Sequence, residues 1–376
     1  MDEEKMFYNA VAVALEGNPH AMRMIMKKLA KQCGGTFPGW AAAYDYLADG
    51  GTVGRMETRN SNAMPDPDAE WENLEQRGIR LVFRDELGYP PLLREIHDPP
   101  LALYVLGEMP DGCSVTVVGT RRATPDGKAI TRRFARELAQ GGLTIVSGLA
   151  LGIDAEAHEG CLEAAAADGP ISTGTTTTGK TIAVLARGID RIYPSENERL
   201  ASRILKHGGA IISEYPAGEP PYPDRFMERN RIVSGISEGV LVIEAPRRSG
   251  SLATATFALE QSRNVFVVPG PISHPNFFGS HQLIRQGAEL VTAPEEILEA
   301  YGIGAKEKVA RTKREENSAT PEEKQVLIAL HDASTPLEVD KIIALTKLEP
   351  RIANRAITFL LLKQLIKEMD MGYIIE

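Results

Sequence analysis

Between residues 113 and 301, six short β-branched and apolar runs recur: "SVTVVG", "LTIVSG", "KTIAVLA", "AIISEY", "GVLVIEA" and "NVFVVPG". Most are continuously apolar rather than alternating, the pattern of strands covered on both faces. Helical stretches lie between them. "PDGKAITRRFARELAQGG" places Ile130, Phe134 and Leu138 on one face and stops at Gly141-Gly142. "SENERLASRILKHGG" offers a capping box, Ser195 with Glu198, and also ends in Gly-Gly. Strand-helix repetition of this kind predicts an α/β fold, a doubly wound parallel sheet with right-handed crossovers. Ligands of such sheets bind outside the carboxyl ends of the strands, where the strand order reverses.

Three loops that follow strands carry the residues of interest. "VVGTRRATPDG" brings Gly119, Thr120, Arg121 and Arg122 to a helix start. "VSGLALGID" brings Ser147, Gly148 and Gly152, and "EAPRRSGSLATA" brings Arg247, Arg248, Ser249, Gly250 and Ser251. Glycine lets backbone approach a ligand closely, and arginine presents a planar fork suited to phosphate. Three Gly/Ser-containing helix N-termini on one rim, with arginines beside them, predict an anion cradle rather than three unrelated tight turns. "FMERNRIVSG" adds Arg229, Asn230 and Arg231 beside Tyr222 and Phe226. Aromatics interleaved with arginines suit single-stranded nucleic acid, whose bases stack while guanidiniums hold phosphates. Alternatively, these arginines pair with Asp224 and Glu228. Arg132, Arg133 and Arg136 read as a solvated helix face.

Several functions are disfavoured. "GTTTTGKT", residues 174–181, fits the phosphate-loop pattern G-x-x-x-x-G-K-[ST] at every position. A working phosphate loop follows a strand and opens a helix; here a helix-like stretch precedes the match and a strand-like run follows, so the match is a coincidence. No catalytic constellation and no metal-ligand spacing emerges, and no cofactor is expected. His158 reads as a packed or capping side chain, and Glu244 is the one carboxylate placed like a general base. Cys33, Cys113 and Cys161 are too far apart for a metal site and read as free thiols of a reducing cytosol. No apolar run approaches the ~20 residues of a membrane helix, and the acidic start "MDEEKMFYNA" is unlike a secretory signal. The net charge of −9 argues against binding nucleic acid with the whole surface and leaves room for a local basic patch.

Taken in order, "VVGTRRATPDG", "IVSGLALGIDAEAH", "GIDRIYPSEN", "ISEYPAGEPPYPDRFMERNRIVSGIS", "VLVIEAPRRSGSLATATFALEQSRNVFVVPG" and "GSHQLIRQGAELV" strongly resemble the DNA-processing protein A (DprA, or Smf) family. The resemblance implies an extended Rossmann-like domain that binds single-stranded DNA, forms homodimers and loads the RecA recombinase during natural transformation, in the cytoplasm and without a membrane partner. It places the single-strand pocket around Arg121 and the segment Arg229 to Arg231. Thr120 stands where the family has serine, and "MERNR" where it has "FPxRNR". Residues from about 165 to 178 look like an insertion. The expected division is a helical N-terminal domain at 1–76, weakly similar to sterile-alpha-motif or helix-hairpin-helix domains, then the Rossmann-like domain at 77–302. A charged linker at 303–319 and a winged-helix-like domain at 320–376 follow. Helix-turn-helix geometry would set Arg351, Asn354 and Arg355 against duplex DNA, although an interaction or purely structural role fits this tail equally. The rival from another class is a nucleotide phosphoribohydrolase on the same scaffold. Its "PGGxGTxxE" loop is matched here only by "PRRSGSLATATFALE".

Overall fold

A computed structural model of the chain describes residues 2–52, 64–167, 179–303, 320–333, 336–362, 366–369 and 372–375. It divides into two compact units, residues 1–298 and 299–376. Among the described residues, no helix is long and apolar enough to cross a membrane.

The first unit opens with four helices, α1 (Asp2–Ala14), α2 (Pro19–Gln32), α3 (Trp40–Ala48) and α4 (Pro67–Gln76). The lead-in then supplies β1 (Arg80–Phe83), the short α5 (Pro91–Arg94) and β2 (Ala102–Gly107). The rhythm read from the sequence follows as β3 (Ser114–Val118), α6 (Pro125–Gln140), β4 (Thr144–Ser147), α7 (Ile153–Ala167), β5 (Thr181–Leu185), α8 (Glu198–Lys206) and β6 (Ala210–Ser213). It continues with α9 (Pro223–Gly235), β7 (Gly239–Val242), α10 (Gly250–Glu260), β8 (Asn264–Val267), α11 (Phe278–Arg285), β9 (Glu289–Leu290) and α12 (Pro294–Ala300). All six predicted strands are present, in one nine-stranded sheet of order β1-β2-β6-β5-β4-β3-β7-β8-β9. The strands from β6 to β9 in this order pair in parallel. The antiparallel β1 and β2 close one edge. This is the doubly wound, mostly parallel, Rossmann-like sheet expected.

Side chains alternate between the two faces of the strands. Ala183, Leu185 and Ile211 join one apolar cluster with Leu162 of α7, Ile204 of α8 and the N-terminal residues Tyr8, Val11, Ile25 and Leu29. Ile182, Val184 and Ile212 join the opposite cluster with Ile232 of α9, Ala255 of α10 and Leu283 of α11. The N-terminal helices therefore share a core with the sheet. The Ser195–Glu198 capping box does not form: a 3-10 turn, Ser195–Asn197, intervenes, and Ser195 Oγ turns to Glu196. Of the phosphate-loop match, residues 174–178 lie outside the described residues, as do 168–178 of the insertion. Lys180 stands immediately before β5, at the amino end of a parallel strand.

His158 of α7 is packed, as expected. Thr181 Oγ1 donates to Ile145 O at 2.6 Å, so at 2.7 Å the His158 Nδ1–H donates to Thr181 Oγ1. Burial pushes the imidazole from the ordinary value near 6.5 down to about 3. The unfolded chain takes up a proton near pH 6.5 that the folded chain refuses, so this residue withdraws stability as pH falls through that window. At pH 5 the deficit is about 2 kcal/mol. Urea unfolding at pH 7 and pH 5 is expected to show this loss, and His158→Leu to lessen it. Parallel pH profiles of variant and parent would refute it.

The second unit holds α13 (Pro321–Ala333), α14 (Val339–Thr346), α15 (Pro350–Leu362) and the antiparallel hairpin β10 (Ile366–Met369) and β11 (Gly372–Ile375). Val326, Leu330, Ile342, Ile357, Leu360 and Ile366 form its core. Residues 304–319 of the expected linker lie outside the described residues.

Candidate nucleic-acid interface

The chain winds from β3 outward through β4, β5 and β6, then returns to lay β7 on the other side of β3. The reversal lies between β3 and β7, and the loops at their carboxyl ends part there. A cleft of about 350 Å³ opens at this point, lined from the β3–α6, β4–α7 and β7–α10 loops and from α9.

Gly119, Thr120, Arg121, Arg122, Gly148, Arg229, Asn230, Ser249, Gly250 and Ser251 all line it. Three expected residues do not. Ser147 is buried and donates to Val117 O at 2.7 Å, so it holds two strands together. Gly152, at φ +80°, packs beneath the next loop, where a Cβ would lie 2.4 Å from Thr120 O. Arg231 points away from the cleft into a buried ion pair with Glu214.

The loops are tied to one another. Thr120 N donates to Glu244 O at 2.8 Å, and Ile153 N donates to Thr120 O at 3.2 Å. Ser249 caps α10 by accepting from Ser251 N, and Asn230 Nδ2 donates to Gly250 O at 3.2 Å. At the start of α6, Thr124 Oγ1 accepts from Gly127 N at 2.9 Å, so that amide is already occupied. Glu244 is fully buried and accepts from Thr124 N, Thr124 Oγ1 and Asn276 Nδ2, so both its oxygens serve to fix this loop. Gly119 is required by packing, since a Cβ would lie 2.5 Å from Ile153 Cγ1.

The arginines fall into two groups. Arg121, Arg122, Arg247 and Arg248 are exposed, and no carboxylate among the described residues pairs with them. The Arg121 guanidinium lies over the Phe226 ring at 5.2 Å, and Arg247 over Phe278 at 5.8 Å. Phe226 in turn meets Tyr193 at 5.8 Å, with Tyr193 43% exposed. Arg229, by contrast, is 5% exposed. Its Nη1 donates to Gly148 O at 2.7 Å and to Val184 O. Burial lowers its pKa while the charge of Asp154 opposes the fall. Asp154 accepts from Gly148 N and Ala150 N, and burial raises its own pKa against the pull of Arg229.

Gly148 makes the passage of Arg229 possible, because a Cβ there would lie 2.2 Å from Nη1. Gly148→Ala is expected to destabilise the unit by about 1–3 kcal/mol through overpacking. A thermal melt indistinguishable from the parent would contradict that contact.

Tyr193 was not among the expected residues; its place in "GIDRIYPSEN", the loop that follows β5, is the signal that could have placed it. A carboxylate two residues after a glycine-rich turn, as Asp154 is after Gly152, is suited to bind the turn's amides, and that spacing is the signal the sequence offers for it. Arg132 pairs with Glu156 and Glu163, and Arg133 with Glu137, a solvated face as expected. The three cysteines are free. In the second unit Arg351, Asn354 and Arg355 are exposed on α15 at i, i+3 and i+4.

A model of the family described as DNA recombination-mediator protein A matches residues 80–302. Protein Smf of Escherichia coli (strain K12) is 46% identical over 233 residues, which cover 61% of this chain and 59% of that relative's length. The crystal structure of DprA from Streptococcus pneumoniae aligns with a TM-score of 0.58 and 30% identity, covering 77% of this chain and 95% of that one. A structure described as giving the single-stranded DNA binding mode of DNA processing protein A from Helicobacter pylori aligns with a TM-score of 0.50 and 30% identity. It covers 59% of this chain and 95% of that one.

Proposed function

The chain belongs to the DNA recombination-mediator protein A family, and from that premise we propose that its cleft holds single-stranded DNA without catalysing a reaction. The observation that carries this reading is the set of exposed arginines, paired with no carboxylate among the described residues, beside Phe226 at the sheet's switch point, with Tyr193 against Phe226. Arg121, Arg122 and Arg248 grip phosphates through charge-assisted hydrogen bonds. Phe226 and Tyr193 offer ring faces to bases, a contact that tolerates any sequence. The described binding mode of the Helicobacter pylori relative supports the choice of a single strand.

A strand held with its bases stacked on protein remains unpaired and available for hand-over. On this reading the protein is cytoplasmic, acts as a homodimer, protects incoming DNA in natural transformation and delivers it to a RecA-type recombinase. Arg351, Asn354 and Arg355 form a second, separate contact for duplex DNA. The commitment of both Glu244 oxygens to the β3–α6 loop supports a binding role over a phosphoribohydrolase reaction.

Titration of the full chain with labelled single-stranded and duplex oligonucleotides of one sequence tests the reading. Single-strand affinity should exceed duplex affinity and fall with log salt at a slope of about −0.7 per phosphate contact. Equal affinity for both forms, insensitive to salt, would defeat it.

A further inference from the structure

Helix α9 lends Phe226 and Asn230 to the cleft, yet its arginines are buried and each is tied to a different part of the fold. Arg225 donates to Pro220 O and to Glu219 Oε2 at 2.8 and 2.9 Å and is flanked by the rings of Tyr215 and Tyr222. It also donates to Glu16 O, in the connection between α1 and α2. Arg231 pairs with Glu214 and, at 3.6 Å, with Asp98. The same two carboxylates meet Arg23 of α2. Arg23 Nη2 lies 2.8 Å from Asp98 Oδ1 and 3.8 Å from Glu214 Oε1. It also donates to Pro99 O at 3.3 Å.

Two arginines and two carboxylates thus alternate in one cluster, with Arg231 and Glu214 almost wholly buried. A buried carboxylate needs its cations, because water cannot replace them. Arg225 and Arg231 stand six residues apart, about 9 Å along the helix axis. Between them lie Phe226, Met227, Arg229 and Asn230, four of the α9 residues that line the cleft, with Val233 one turn further on. The N-terminal region therefore holds α9 on either side of these four residues.

We propose that Arg23 is a positioning residue for the single-strand cleft. Through Asp98 and Glu214 it holds Arg231, and with it the setting of α9 that presents Phe226 and Asn230 to the strand. The inference rests on the single-strand reading above and adds to it a role for the N-terminal helices, which touch no DNA in this scheme. Removing Arg23 leaves Glu214 and Asp98 competing for one guanidinium, and α9 loses one of its two holds.

The test uses the full chain with Arg23→Met, Arg23→Lys and Asp98→Asn, titrated with fluorescent oligothymidylate across a salt series. Hydrogen exchange of the amides of residues 226–231 is followed in parallel. Arg23→Met is expected to weaken binding about five- to tenfold, a coupling of the usual size. The slope against log salt stays at the parent value, because no phosphate contact is lost. Arg23→Lys restores most of the affinity by returning a cation, Asp98→Asn weakens binding in the same sense, and protection over 226–231 falls. Parent affinity and protection in Arg23→Met would overturn the proposal. A slope shallower by about 0.7 would also overturn it, making Arg23 itself a phosphate ligand. If Arg23→Met shows no cooperative melt, Asp98→Asn carries the same expectations and the same refutations. Should the parent bind no oligothymidylate, the single-strand reading fails by itself, and the exchange measurement still decides whether Arg23 holds α9.

Discussion

Replacing Arg121 and Arg248 together by alanine should weaken single-strand binding about a hundredfold at moderate salt and leave the melting temperature unchanged. Each guanidinium that donates to a phosphate contributes roughly 1.5 kcal/mol, and each 1.4 kcal/mol is a factor of ten in affinity. The salt slope should shrink by about 1.4, two contacts at 0.7 each. Stability is spared because both side chains are exposed and unpaired with any carboxylate among the described residues. Loss of affinity with an unaltered slope would mean that these arginines do not touch phosphate. A large fall in melting temperature would mean that they hold the fold.

The reverse outcome is expected for Arg229→Ala, the second large effect. Arg229 is buried, gives Nη1 to two backbone carbonyls and balances the buried Asp154. Its removal strands that carboxylate without its cation, at about 3–5 kcal/mol. For a unit of this size the melting temperature should fall by roughly 10 °C. Binding would weaken only as the β4–α7 loop relaxes, without a defined loss of salt slope. An unchanged melt with a slope reduced by one contact would instead make Arg229 a phosphate ligand.

The contrast between Arg121 and Arg229 shows how far the residues alone could be read. Both stand in loops or helices that follow strands, beside aromatics and glycines, and the sequence places them in one group. Charge and spacing locate an arginine on an element but do not say whether its guanidinium leaves the protein or turns inward. The deciding partners, Gly148 O, Val184 O and Asp154 for Arg229, come from the β4–α7 loop, β5 and α7, which the fold brings together from distant positions. Arg231 was misplaced for the same reason, since Glu214 and Asp98 precede it on other elements.

The sheet was far more legible. Strands buried on both faces are apolar throughout, so "SVTVV" and "GVLV" announce themselves without partners. From their order follow the switch point and the cleft's position. The two-residue β9 carries too little pattern to detect, and its residues are exposed. A helical N-terminal region was expected, but helical character does not name what a face packs against. Tyr8 and Ile25 prove to share a cluster with Leu185 and Ile211 of the sheet.

The central claim is that a single strand lies in the cleft at the carboxyl ends of β3, β4 and β7, with bases on the Phe226–Tyr193 ledge. Photocrosslinking the full chain to an iodouracil-substituted single-stranded oligonucleotide, with the adducts mapped by mass spectrometry, tests it most directly. The account predicts adducts on the peptides that carry Phe226 and Tyr193, lost when Arg121 and Arg248 are replaced. Adducts confined to residues 320–376, with both aromatics unmodified, would contradict it.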